Sequence, residues 1–238
     1  MTIAHDSEVL GAANTAAGNY DTAITPTNPP DGACVIIVGN SNVDLVTSAS
    51  YGTAAGAVLL TRRRFNVEIS EIGAVYIYWG TGLPTGTQTI RIVRTGSVSL
   101  RAAISTMTVA AGMAVAIDTD ATGGPGPVAN PSWAMTTTDP TTQCYLGIHS
   151  GLQAMTNTPA SNWTLAPTPG FEDYGSQGRG WARRAATSAA NQLPGWASGT
   201  SEDFVGASIA FKEIPLAVES ASRQPHIHRR AVHRAAIW

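Results

Sequence analysis

Residues 204–214 read Phe-Val-Gly-Ala-Ser-Ile-Ala-Phe-Lys-Glu-Ile, and no other run limits the possible fold so strongly. Val205, Ala207, Ile209 and Phe211 recur at period two and mark one face of a β-strand. Gly206, Ser208 and Ala210 make the opposite face, small enough for a neighbouring layer to lie over it. No charge interrupts the run before Lys212 and Glu213, and Pro215, which has no backbone N–H to give, ends it. A strand apolar on one side and small on the other asks for packed layers, and the rest of the chain supplies candidates.

An opening strand or two falls within residues 9–24, before a turn cluster of Pro26, Pro29, Pro30, Asp31 and Gly32. Residues 33–38, Ala-Cys-Val-Ile-Ile-Val, form a continuous apolar run of the kind buried on both faces. Residues 45–51 and 57–61 are weaker candidates, and 65–69 alternates. Arg62, Arg63 and Arg64 between them read as a solvated strand end. The aromatic strand 74–79 and the strand 87–95, joined by the Gly/Pro loop 80–86, read as an antiparallel hairpin with Ile90 and Ile92 inward and Arg91 outward. Val98, Leu100, Ala102 and Ile104 share the face of a further strand. Residues 113–117, 133–138, 144–149, 163–165 and 170–174 complete the set, with 118–132 as a Gly/Pro-rich loop. Residues 179–190 fit either a strand or one helical turn.

This spacing, roughly ten to thirteen short strands with a turn about every 8–12 residues, predicts an antiparallel sandwich or barrel. Charged residues are only 13% of the chain, against an ordinary share of about 25%. Thr, Ser, Asn and Gly supply the polarity instead, as suits strand surfaces and turns. A net charge of −2 gives no general attraction to nucleic acid. The first residues lack the basic start and apolar core of a secretory signal, and no run reaches the ~18–20 apolar residues of a membrane span. A soluble chain is expected, with residues 1–214 as one sandwich domain.

Residues 215–238 change character. After a hinge-like stretch at 219–225, residues 226–238 carry three histidines and three arginines among Ile227, Val232, Ile237 and Trp238. Arg230 and Arg234 share a face if the segment is helical, but it is too short to hold a helix alone. A segment of this kind folds against a partner, with the terminal indole as anchor. Arg229, Arg230, Arg234, Ile237 and Trp238 are the expected docking residues.

The usual catalytic and metal patterns are thin. His149 and His5 are the histidines before the tail, and no Gly-x-Ser-x-Gly elbow is present. Asp118 and Asp120 could offer oxygens to a cation, and His226, His228 and His233 could chelate zinc, though basic neighbours oppose it. Neighbouring carboxylates at Glu68/Glu71, Glu172/Asp173 and Glu202/Asp203 read as surface charge rather than a glycosidase pair. Cys34 and Cys144 read as two core thiols; a disulfide requires their strands to be neighbours. Asn162-Trp163-Thr164 fits a glycosylation sequon, which carries little weight without a signal peptide. No cofactor and no metal are expected.

Four places carry a family resemblance. They are Asp31-Gly32-Ala33-Cys34-Val35-Ile36-Ile37-Val38 after the proline turn; Tyr76-Ile77-Tyr78-Trp79 with its loop; Thr89-Ile90-Arg91-Ile92; and Ala207-Ser208-Ile209-Ala210-Phe211-Lys212-Glu213-Ile214. In this order the chain resembles the β-sandwich minor tail or virion-surface proteins of tailed phages infecting actinobacteria. The resemblance implies an all-β, jelly-roll-like sandwich with a short basic C-terminal tail. It further implies a non-enzymatic virion protein, homo-oligomeric, assembled in the host cytoplasm and attached to other virion structural proteins. A place in the tail near the host-adsorption end is the leading expectation, with the loops 80–86, 118–132 and 151–161 as contact candidates and a host-surface glycan as a further partner. A capsid decoration protein and a carbohydrate-binding module, the latter from Trp79, Trp133, Trp163, Trp181 and Trp196, are the alternatives.

Overall fold

A computed structural model describes residues 3–68, 73–124, 127–151, 159–174, 177–197, 201 and 203–216, and among them the regular elements are all strands. In chain order these are β1 (Ala4–Leu10), β2 (Gly18–Ile24), β3 (Gly32–Gly39), β4 (Val46–Tyr51), β5 (Val58–Glu68), β6 (Gly73–Thr81) and β7 (Gln88–Arg94). They continue as β8 (Leu100–Thr108), β9 (Met113–Gly123), β10 (Thr142–Ser150), β11 (Thr164–Leu165), β12 (Phe171–Tyr174), β13 (Gln177–Ala186) and β14 (Phe204–Pro215). Every pairing between these strands is antiparallel. The expected all-β antiparallel class is the observed one.

Eight strands form one sheet in the order β1-β8-β3-β6-β5-β4-β7-β2, and its two ends, β1 and β2, come back into contact. Asp6 of β1 fastens that seam, accepting the backbone N–H groups of Thr27 (3.0 Å) and Asn28 (3.1 Å) just beyond β2. The curled sheet encloses a core of Val35, Ile37, Tyr51, Tyr76, Tyr78, Ile90, Ile92, Leu100 and Ile104. The second sheet runs β11-β13-β10-β14-β9, with β12 beside β13. It packs on the outside of the β8-β3-β6-β5 wall.

The alternation of β3 explains the arrangement. Its odd residues Ala33, Val35 and Ile37 point into the curled sheet, and its even residues Cys34, Ile36 and Val38 point at the second sheet. There they meet Val205, Ala207, Ile209 and Phe211, the face read from the sequence of β14. The other face of β14 covers a third core. Trp133 lies over Gly206 and donates Nε1–H to Ser208 Oγ at 2.9 Å. Both cysteines are buried and free.

Several expectations are corrected. Strands 74–79 and 87–95 do not form a hairpin: β6 pairs with β3 and β5, and β7 pairs with β2 and β4. The loop between them tucks Leu83 into the curled core and carries the reversed chain past β5 and β4, so those two strands separate β7 from β6. Residues 58–61 and 65–68 belong to one strand, β5, and Arg62–Arg64, solvated as expected, lie within it rather than at its end. A bulge between Arg62 and Arg64 lets both Arg63 and Arg64 reach Asp120 on β9. Residues 118–123 extend β9 and are not loop. Residues 133–138 make only isolated bridges; of the two readings for 179–190, the strand is the observed one, over Gln177–Ala186.

Candidate functional site

The outer face of the second sheet is roofed by three loop segments. Residues 130–137 and 188–196 cross each other through bridges at Ser132–Gly195 and Thr136–Asn191, and Pro159 bridges Trp196. Beneath them lies the third core of Trp133, Met135, Trp163, Leu146, Ile148 and Trp196. Trp196 stacks on Phe171 with ring centres 6.3 Å apart and covers Gly180, where a Cβ would strike its ring. Trp163 donates Nε1–H to the Gln192 carbonyl at 3.0 Å. The loops are thus held by indoles driven into a strand surface stripped of side chains at Gly180 and Gly206.

Between the three segments opens a cleft of about 720 Å³. Its apolar surface comes from Pro131, Pro159, Ala160, Leu193 and Trp196, and its polar surface from Asn130, Ser132, Ser161, Asn162, Asn191 and Arg184. Asn130 (φ 55°), Asn162 (φ 70°) and Leu193 (φ 44°) are the non-glycine residues with positive φ among the described residues, and all three line this cleft. That backbone region is sparsely populated by L-residues and tends to gather at functional sites. Leu193 is an apolar side chain thrust into solvent, 55% exposed. Its N–H is fixed by Asn191 Oδ1 at 3.1 Å, which also accepts the Met135 N–H at 3.1 Å.

Arg184, on β13, donates Nη1–H to the Gln192 carbonyl at 3.2 Å. Among the described residues it has no carboxylate partner. Arg62, Arg63, Arg64, Arg91, Arg101, Arg179 and Arg183 each have one. Arg94 is buried and bonded to Val98, Asn14 and Ala16. The cleft therefore holds one cation, several amides and hydroxyls, and no titratable acid or base among its lining residues. Such a set can recognise a ligand by hydrogen bonds and charge.

The other sequence candidates fall elsewhere. Asp118 accepts from the Thr138 N–H at 2.7 Å and from its hydroxyl, and pairs with Lys212 at 3.0 Å. Burial alone would raise its pKa, but these bonds outweigh burial and hold the carboxyl below its usual range. Asp120 is taken by Arg63 and Arg64, so the Asp118/Asp120 pair faces protein cations rather than a metal position. Glu172 joins Arg101 (3.3 Å) and Arg179 (3.5 Å). His149 Nε2 lies 3.2 Å from Asn40 Oδ1, which also accepts from Arg179 Nη2 at 2.8 Å. Burial first, and Arg179 second, pull the His149 pKa down to about 3, which keeps the imidazole neutral. His5 links Tyr145 (3.3 Å) to Glu8 (3.2 Å).

Trp133, Trp163, Trp181 and Trp196 are buried and hold the layers together rather than forming an exposed platform. Arg229, Arg230, Arg234, Ile237 and Trp238 lie outside the described residues, as do His226, His228, His233, Glu71 and Glu202. A smaller concavity of about 290 Å³ lies where the body ends, lined by Asp31, Leu83, Met113, Val115 and Leu216. Of the three expected contact loops, two meet at the large cleft: Asn130–Ser132 from one, and Pro159–Asn162 from the end of the other and beyond it. Arg184, Asn191 and Leu193 carry no such signal in sequence, since a basic strand residue and a turn look alike in any β protein. No family model, no curated protein and no solved structure matches the chain.

Proposed function

We propose that the protein is a non-enzymatic structural protein of a phage virion, a minor tail protein at or near the host-adsorption end. The sandwich is the displayed body, and residues 215–238 anchor it to neighbouring virion proteins, with Arg229, Arg230, Arg234, Ile237 and Trp238 making the contact. The single observation that carries this reading is the division of labour in the body. Its buried charges are spent on holding layers together, while a preformed cleft lies on loops at its surface. The sequence resemblance supports the virion assignment. The jelly-roll form, the homo-oligomeric state and assembly in the host cytoplasm belong to the same reading.

Antibody labelling of intact particles tests it directly. Labelling at the tail tip is expected; labelling over the head would move the protein to a capsid decoration role. Deleting residues 219–238 should leave the protein out of particles, and normal incorporation of that truncation would remove the anchor from the reading. The alternative of a carbohydrate-binding module draws on the amide- and hydroxyl-lined cleft. It gains ground if the protein is absent from particles. Cleavage of cell-envelope polysaccharide by the purified protein would replace both readings with an enzyme.

A further inference from the structure

We propose that the cleft between residues 130–132, 159–162 and 191–197 is a binding site for an acidic saccharide, a sugar chain bearing carboxylates, with Arg184 as the carboxylate receptor. The site stands on its own geometry, so it holds or fails separately from the virion assignment.

The backbone in the cleft walls is already occupied. Trp133 N–H bonds the Pro194 carbonyl, Trp196 N–H the Pro131 carbonyl and Ala160 N–H the Gly195 carbonyl, at 3.0, 2.8 and 3.0 Å. A peptide adding as a strand would need those groups, so recognition falls to side chains. Those side chains are available. Ser132, Ser161 and Asn162 make no side-chain hydrogen bond among the described residues. Asn191 commits its carbonyl to Met135 and Leu193 and keeps both amide donors. Amides and hydroxyls that donate and accept match the hydroxyl pairs of a sugar ring. The C–H face of the ring finds its counterpart in Pro131, Pro159 and Leu193. A volume of about 720 Å³ lies in the range of ligand sites and holds a short oligosaccharide.

Arg184 selects the class. A planar guanidinium in a partly buried site, with no carboxylate partner among the described residues, is suited to a ligand carboxylate. The positive-φ backbone at Asn162 and Leu193, clamped by bridges to neighbouring loops, means the site is built before the ligand arrives.

The test is calorimetric titration of the full chain with a panel of oligouronates, each against its fully methyl-esterified form, which keeps the ring and removes the charge. Saturable binding of at least one acidic form, about ten- to hundredfold tighter than its ester, is expected. Arg184→Gln should abolish that preference while leaving residual affinity for the ester unchanged. Leu193→Gly, at a position where glycine relieves the backbone, should keep or raise the thermal midpoint and weaken binding several-fold. Binding to none of the panel, equal binding of acid and ester, or an acid preference that survives Arg184→Gln would each overturn the proposal. Particle labelling is unaffected by any of these outcomes, so the two readings fail separately.

Discussion

An imidazole buried against a guanidinium has its charge decided before any solvent change reaches it. His149 is 1% exposed, touches Asn40 and lies close to Arg179, which is itself fully buried and paired with Glu172 and, through it, Arg101. Its folded pKa of about 3 stands far below the ordinary 6.5. Between those values the unfolded chain binds a proton that the folded chain refuses, so stability is intact above pH 6.5 and falls as pH drops towards 3. The slope approaches ~1.4 kcal/mol per pH unit once the unfolded histidine is fully protonated. Carboxyls held low, such as Asp6, Asp21, Glu8 and Asp118, contribute only further down, as pH passes below their ordinary values of 3.8 to 4.5. Urea unfolding at pH 7, 6 and 5 should therefore show a decline in the native chain that is absent in His149→Gln, whatever the overall stability of that variant. Parallel slopes for the two proteins would mean that His149 is not the group responsible.

Strand β14 works because its two faces differ in size. One inserts Val205, Ile209 and Phe211 between the sheets, and the other stays small so that Trp133 can lie flat on it. Adding a single methyl at Gly206 would collide with the Trp133 ring, which is held in place by its bond to Ser208 and by stacking on Phe204 at 6.4 Å. Gly206→Ala is expected to lower unfolding free energy by about 1–3 kcal/mol, as overpacked cores do. A change within ~0.5 kcal/mol, the range of ordinary surface substitutions, would show that the indole yields freely. This face was legible in sequence because it depends on local alternation alone. So was that of residues 133–138, where Trp133, Met135 and Thr137 are buried and their neighbours exposed. What sequence did not reveal there is the missing partner: the segment alternates like a strand but finds only isolated bridges. Pairing order was hidden for the same reason, since which strand lies beside β7 depends on the route of the loop carrying Leu83. The cleft was half legible, through loops rich in Asn, Pro and Ser. Arg184 was not, because its significance lies in its having no carboxylate partner among the described residues, which only the fold can show.

At the scale of the whole molecule, one wall serves two cores. Strands β3, β6 and β8 each send alternate residues into the curled sheet and into the space beneath the second sheet. Trp181 of β13 bonds the Ile36 carbonyl of β3 at 3.2 Å. Asn66 of β5 donates to the carbonyls of Gly123 and Gly206 at 3.0 Å each. Neither sheet can lose its order without exposing a face of the other, so the two should unfold together, as one cooperative unit. Most of the aromatic residues divide between the two parts, with Tyr145 and Trp79 at the core between the sheets. Tyr20, Tyr51, Tyr76 and Tyr78 line the curled core, whereas Trp133, Trp163, Trp181 and Trp196 sit in or under the second sheet. Urea titrations followed by tyrosine absorbance and by tryptophan fluorescence should give coincident midpoints, and the tryptophan change should not precede the tyrosine change. Two separated transitions would divide the body into independent halves and make the shared wall a docking face between them. In a single transition, by contrast, a mutation deep in the curled core, such as Ile92→Ala, would loosen the distant cleft only to the extent that it lowers the stability of the entire sandwich.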